Sequence, residues 1–129
     1  MATLRVLVVD DHEAVRKGVC AILGSRPDLE VCAEAASGKE AIGKTVALRP
    51  EVVIMDVSMP EMDGISAARE ILKLQPSTAI IILSMHDSKQ LVESARKIGV
   101  HGYVTKGQAG STLLDAIDAV AQKRDFFPS

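Results

Sequence analysis

Five short apolar runs punctuate this 129-residue chain, each followed by a segment with apolar residues at helical spacing. Leu4–Val9 is apolar and largely β-branched apart from Arg5. Residues 30–36 alternate, which suits a strand at a sheet edge. Residues 52–55 and 79–83 are continuous apolar runs, and 101–104 make a short fifth. Continuous β-branched runs of this length read as strands buried on both faces. Between them, Val15, Val19, Ile22 and Leu23 share a helix face, as do Ile65, Ala68, Ile71 and Leu72, and Leu113, Leu114, Ile117 and Val120. Gly24, Pro27, Pro50 and Pro76 stop helices, and Asp63 is a plausible N-cap for a helix over Gly64–Leu74. A last helix is expected over 111–123.

Strict alternation of strand and helix implies a parallel sheet covered on both faces, a doubly wound α/β fold in one domain. The recurrence of about twenty residues carries no leucine-rich pattern, so a solenoid does not fit. In doubly wound sheets, ligands bind beyond the carboxyl ends of the strands. The residues that follow each strand therefore locate any chemistry.

Those residues converge. Asp10 and Asp11 follow the first strand, Asp56 the third, Ser84 the fourth and Lys106 the fifth, while the second ends blandly in Ala35-Ala36. Each has an ordinary reading. Asp10 with Glu13 matches a capping box, Asp11 could cap the first helix, Ser84 is a hydroxyl in a polar loop over 84–88, and Lys106 is a surface lysine. Asp56 alone reads as a strand-ending acid that hydrogen-bonds the loop backbone. Taken together they fit something else. Three neighbouring carboxylates raise each other's pKa, and a hard divalent cation such as Mg²⁺ relieves that. A cation beside a carboxylate suits phosphoryl transfer, in which the acid is a nucleophile and Lys106 and Ser84 neutralise phosphoryl oxygens.

Composition excludes several other classes. Net charge is −2 with no Lys/Arg cluster, which argues against a nucleic-acid face in this chain. No apolar run has membrane-spanning length, and the start of the chain lacks a signal-peptide pattern, so a cytoplasmic location without membrane contact is expected. Cys20 and Cys32 lie in apolar segments and are expected to be reduced core residues. Tyr103, on a short edge strand, is expected to be half-buried packing.

The motifs Val8-Val9-Asp10-Asp11-His12, Ile54-Met55-Asp56-Val57-Ser58-Met59-Pro60, Met62-Asp63-Gly64, Leu83-Ser84-Met85-His86 and Gly102-Tyr103-Val104-Thr105-Lys106 together resemble the receiver domain of bacterial two-component response regulators. The wording is similar to that of the NarL/FixJ (LuxR-type) subfamily. The resemblance spans essentially the whole chain. It implies a flavodoxin-like sheet of strand order 2-1-3-4-5 with five helices, and a signalling switch, not an enzyme. Asp56 would accept a phosphoryl group from a sensor histidine kinase. Asp10, Asp11, Asp56 and the Ser58 backbone carbonyl would hold Mg²⁺, for which Mn²⁺ could substitute. Lys106 would bind the phosphoryl group, and Ser84 and Tyr103 would be the switch pair, with the Tyr103 ring turning inward on activation. Ser58 and His86 would tune dephosphorylation.

Residues 1–123 would be the receiver and 124–129 the start of a linker to a helix-turn-helix DNA-binding output domain absent from this chain. Phe126-Phe127-Pro128 looks like a cut at that linker, and a single-domain regulator is the alternative. Dimerisation on phosphorylation would use the first and fifth helices, for which Arg16 and Lys17 facing Asp115 and Asp118 would suit. One departure from the family is Gly107 after Lys106, where many receivers carry a cis proline. Two rivals fit less well. A haloacid-dehalogenase-type phosphatase wants an acid at position 58, where Ser58 stands, and a flavodoxin wants a hydroxyl- and Gly-rich loop after the first strand and more aromatics than the three present.

Overall fold

The computed structural model describes residues 3–86 and 88–128; Met1, Ala2, Asp87 and Ser129 lie outside it. The elements are β1 (Leu4–Val9), α1 (Glu13–Gly24), β2 (Leu29–Ala35), α2 (Gly38–Leu48), β3 (Val52–Asp56), α3 (Gly64–Leu74), β4 (Ala79–Ser84), α4 (Lys89–Ile98), β5 (Gly102–Thr105), a 3-10 turn (Lys106–Gln108) and α5 (Ala109–Ala121). All strand pairs are parallel, in the order β2-β1-β3-β4-β5. The doubly wound sheet expected from the alternation is the one observed.

Strand alternation divides the core into two layers. Leu7, Val9, Val53, Met55, Ile80 and Ile82 face α2, α3 and α4, where Ala67, Ala68, Ile71, Val92 and Ala95 meet them. Val6, Val8, Val52, Ile54, Ile81 and Leu83 face α1 and α5, against Val19, Leu23, Leu113 and Ile117. Every residue of β3 is buried, Asp56 included, which is what its unbroken apolar run demands. The alternating β2 lies at the edge, and Cys32 is the extra residue where its register with β1 shifts. Caps fall where short polar side chains precede helices: Ser37 Oγ accepts from Glu40 N, Asp63 from Ser66 N and Ser88 from Leu91 N.

Several local expectations are corrected. α5 begins at Ala109, two residues before the expected start, because the 3-10 turn carries the chain into it and Ser111 and Thr112 hydroxyls donate back to the Gln108 carbonyl. Asp10 makes no capping box with Glu13: the N-cap of α1 is His12, and Asp10 Oδ1 accepts from His12 N instead. Within one chain Arg16 and Lys17 both reach Glu34 on β2, and Asp118 pairs with Arg26, so these charges already have partners. Tyr103 is fully buried, not half-buried. Cys20 and Cys32 are free but only partly buried, with burial the main cause raising both thiol pKa values.

Residues 124–128, expected to begin a linker, run along β5. Phe126 N donates to His101 O (2.9 Å), and Phe126 O accepts from Tyr103 N (2.8 Å), in a parallel bridge to Gly102. Phe126 packs on the α5 side of the sheet and Phe127 on the α4 side, where the Arg96 guanidinium lies 4.2 Å from its ring centroid.

His101 joins this segment to the sheet. Its Nδ1 accepts from Ile80 N (3.1 Å), its own N–H donates to Ile80 O, and burial lowers its pKa below the ordinary 6.5. A base whose folded pKa is depressed contributes stability that is complete above its unfolded pKa and is lost as pH falls towards the folded value. Thermal melts between pH 7.5 and 5 should therefore show wild type losing stability below pH ~6.5 faster than His101→Gln, which has nothing to titrate there.

Candidate functional site

The carboxyl ends of β1, β3, β4 and β5 lie side by side, so the four chain turns that leave them bring their polar residues together. Asp10 follows β1 and is buried; its Oδ1 accepts from His12 N (2.9 Å), and Arg16 Nη1 clamps its carbonyl (2.8 Å). Asp11 beside it is partly exposed. Asp56 ends β3 at 1% exposure, with Oδ1 accepting weakly from Ser58 N (3.3 Å). Lys106 opens the 3-10 turn after β5 and reaches back across the sheet end. Its Nζ lies 3.0 Å from Asp10 Oδ2 and 3.0 Å from Asp56 Oδ1.

One ammonium thus sits between two buried carboxylates. Burial is the strongest influence on Lys106 and opposes its charge, but the bonds to Asp56 and then Asp10 prevail and raise its pKa. On Asp56 burial dominates and the Asp10 charge adds to it, so the carboxyl pKa is raised despite Lys106. The site holds more negative charge than its own cation neutralises.

Asp56 Oδ2 is buried with no hydrogen-bond partner among the described residues. Asp10 Oδ2 and Asp11 Oδ1 also lack hydrogen bonds, although each has a basic nitrogen nearby, Lys106 Nζ for the first and His12 Nδ1 at 3.1 Å for the second. Buried orphan carboxylate oxygens are rare because each is costly. One carboxylate oxygen from each of Asp10, Asp11 and Asp56 lies within 4.8 Å of the others, a donor set that fits a hard divalent cation. Asp10, Asp11 and Asp56 are the residues present that would hold it.

The other expected residues fall around this core. Ser84 ends β4, buried, and its Oγ accepts from His86 N (3.1 Å), which leaves the O–H to donate. His86 is exposed, and its carbonyl accepts from the Tyr103 hydroxyl (2.6 Å). The Tyr103 ring therefore lies inward, tied to the loop that carries Ser84. Ser58 is exposed beside Asp56. The peptide after Lys106 is trans, and Gly107 enters the 3-10 turn directly.

Two further residues shape the site. Gly64 lies where α3 crosses the end of β3: a Cβ there would sit 1.9 Å from Asp56 O and 2.8 Å from Asp56 C. Only glycine permits that approach, and Gly64 N donates to Val57 O (2.9 Å). The Asp63-Gly64 pair reads as a turn and cap in sequence, which hides this requirement. His12 is the other; it follows the two acids directly, yet adjacency alone assigns it no role.

The family model of the response regulator receiver domain matches residues 6–118. The chain belongs to that family. It is 37% identical over 125 residues to the response regulator protein VraR of Staphylococcus aureus, covering 97% of this chain and 60% of that protein. It is 33% identical over 119 residues to the transcriptional regulatory protein DegU of Brevibacillus brevis, covering 92% and 50%. The chain thus spans between half and three fifths of the length of these relatives. Among solved structures it resembles a LuxR-family two-component response regulator from Aurantimonas (TM-score 0.94, 35% identity, 98% of this chain and 90% of that one). It also resembles the receiver domain of the putative response regulator NarL from Mycobacterium tuberculosis (TM-score 0.91, 30% identity, 96% and 100%). This receiver domain is of the LuxR/NarL/FixJ type. No helix among its described residues is long and apolar enough to cross a membrane.

Gly64→Ala should lower stability by about 2 kcal/mol or more in chemical denaturation, because the methyl meets backbone that cannot yield. Gly43→Ala, on an exposed helix position with nothing within 4 Å, should be neutral or stabilising. Asp56 carries a second expectation. A raised folded pKa means stability present below the unfolded value of 3.8 and lost as pH rises through the folded value. Asp56→Asn should then raise Tm at pH 7 by on the order of a few degrees, a gain that shrinks as pH falls towards 4.

Proposed function

We propose that this receiver is a phosphorylation switch that takes a phosphoryl group on Asp56 from a sensor histidine kinase. The observation that carries the reading is the Lys106 ammonium at 3.0 Å from both Asp10 and Asp56, beside the orphan Oδ2 of Asp56. Mg²⁺ held by Asp10, Asp11, Asp56 and the Ser58 carbonyl would neutralise phosphoryl oxygens; Mn²⁺ could take its place. Lys106, already poised between the acids, neutralises a further oxygen, and the Ser84 hydroxyl donates to another. The Asp56 carboxylate oxygen forms a bond to phosphorus as the N–P bond of the kinase's phosphohistidine breaks. The electron pair stays on the imidazole, which takes its proton from solvent. The site groups act on a phosphoryl group that ends on the protein, so the chain works as a switch with self-catalysed transfer and loss, and does not turn over a substrate.

The readout runs through Ser84, His86 and Tyr103. A new phosphoryl oxygen accepts the Ser84 O–H that the bond from His86 N leaves free and so draws on the loop, while the His86 carbonyl holds the Tyr103 hydroxyl. Moving a two-state element from 1:99 to 99:1 requires about 5.5 kcal/mol, more than the roughly 1.5–3 kcal/mol of one charged hydrogen bond. Packing of the fully buried Tyr103 ring supplies part of the remainder, and self-association supplies more. Ser58 and His86, both exposed, control the approach of water and so the lifetime of the phosphoryl group. Residues 1–123 form the receiver, and 124–129 lead towards a helix-turn-helix output domain of the kind that would bind DNA in the cytoplasm.

Incubation with acetyl phosphate and Mg²⁺, followed by intact-protein mass measurement, tests this. Wild type should gain one phosphoryl group, Asp56→Asn none, and Lys106→Ala should gain it at least about 10²-fold more slowly. Equal phosphorylation of Asp56→Asn, or sustained turnover of phosphate esters by wild type, would overturn the reading.

A further inference from the structure

Among the described residues, His12 brings an imidazole to the acidic site beside the Lys106 ammonium. One ligand atom from each of Asp10, Asp11, His12 and Asp56 lies within 4.8 Å of all the others. Opposite ligands of a six-coordinate divalent cation stand about 4.2 Å apart and adjacent ones about 3 Å, so the set has to draw together by roughly half an ångström or more to bind one. The geometry also sorts the carboxylate oxygens. Lys106 takes Asp10 Oδ2 and Asp56 Oδ1. The imidazole sits on the other side, with Nδ1 3.1 Å from Asp11 Oδ1 and 3.5 Å from Asp10 Oδ1. It is therefore placed with oxygens that Lys106 leaves available, and the orphan Oδ2 of the buried Asp56 is the remaining donor.

His12 has no competing structural duty. It occupies the N-cap of α1, yet its side chain makes no capping hydrogen bond, and it is 68% exposed. Its backbone N–H is held by Asp10 Oδ1, which fixes the turn that carries the ring. Imidazole is a poor ligand for Mg²⁺, which demands hard oxygens, and a good one for divalent transition metals.

We propose that His12 is a fourth side-chain ligand of the carboxylate site, turning it into a mixed oxygen and nitrogen site selective for divalent transition metals over Mg²⁺. The inference rests on the acidic site binding a cation at all, and the test separates the two. Metal-free full chain is titrated with Mn²⁺ and, separately, with Mg²⁺, for wild type, His12→Ala and Asp11→Asn. Electron spin echo spectra of the Mn²⁺ complexes report directly bonded nitrogen. Wild type should show an imidazole nitrogen coupling that His12→Ala lacks. His12→Ala should weaken Mn²⁺ by about tenfold or more and Mg²⁺ by less than about twofold. Asp11→Asn should weaken both. If wild type binds Mn²⁺ without nitrogen coupling, or His12→Ala weakens both cations equally, His12 is no ligand and the oxygen site stands alone. If neither cation binds wild type, the reading of the acidic site falls as well.

Discussion

The charge balance at the end of the sheet is the constraint on which the rest depends. Two carboxylates at 1% exposure share one ammonium, and a third carboxylate stands beside them. Such an arrangement is poor for stability, because burial disfavours each ion and the signs do not cancel. It persists because the strand ends that carry it are held elsewhere, by two apolar layers that leave the sheet no room to shift. The residual negative charge is what makes the site receptive to a cation. The single lysine, made more basic by its partners, is the group on which the proposed phosphoryl transfer would draw.

Precision at that point comes from the backbone as much as from side chains. β3 cannot move relative to β1 and β4 because its register is matched by apolar neighbours on both faces. The turn after it is pinned by Gly64 against the Asp56 carbonyl, by Val57 accepting from Gly64 N, and by Asp63 capping α3. Small residues recur where α3 and α4 meet the sheet, with Ala67, Ala68 and Ala95 fully buried, so these helices sit close to the strands. Asp56 is thereby aimed by its mount, with little freedom of its own.

Much of this was legible in the sequence. Strand and helix alternation fixes the class, continuous apolar runs mark buried strands, and the rule that ligands gather beyond strand ends picks out Asp10, Asp11, Asp56, Ser84 and Lys106. What stayed hidden depends on contacts between elements distant in sequence. Arg16 and Lys17 look like an outward basic pair on α1 until β2 brings Glu34 to them. Asp10 and Glu13 have capping-box spacing, but Asp10 turns instead to the His12 N–H in a local loop. Gly64 looks like turn punctuation because the carbonyl it must avoid belongs to another element. Tyr103 looks half-exposed on an edge strand because nothing local announces that α4 and Phe127 pack in the same apolar layer.

That covering of β5 has a consequence for how the protein behaves in solution. The outermost strand of an open sheet offers a row of unsatisfied amides and carbonyls on which another chain can build. Here Phe126 takes the Tyr103 N–H and gives its own to His101, and Phe127 under Arg96 holds the segment in place. A one-residue bridge from the chain's own tail thus occupies part of that margin. At the opposite margin, β2 carries charged Glu30 and Glu34, side chains that discourage sheet-to-sheet stacking. Each margin of the open sheet thus carries a feature that opposes edge pairing.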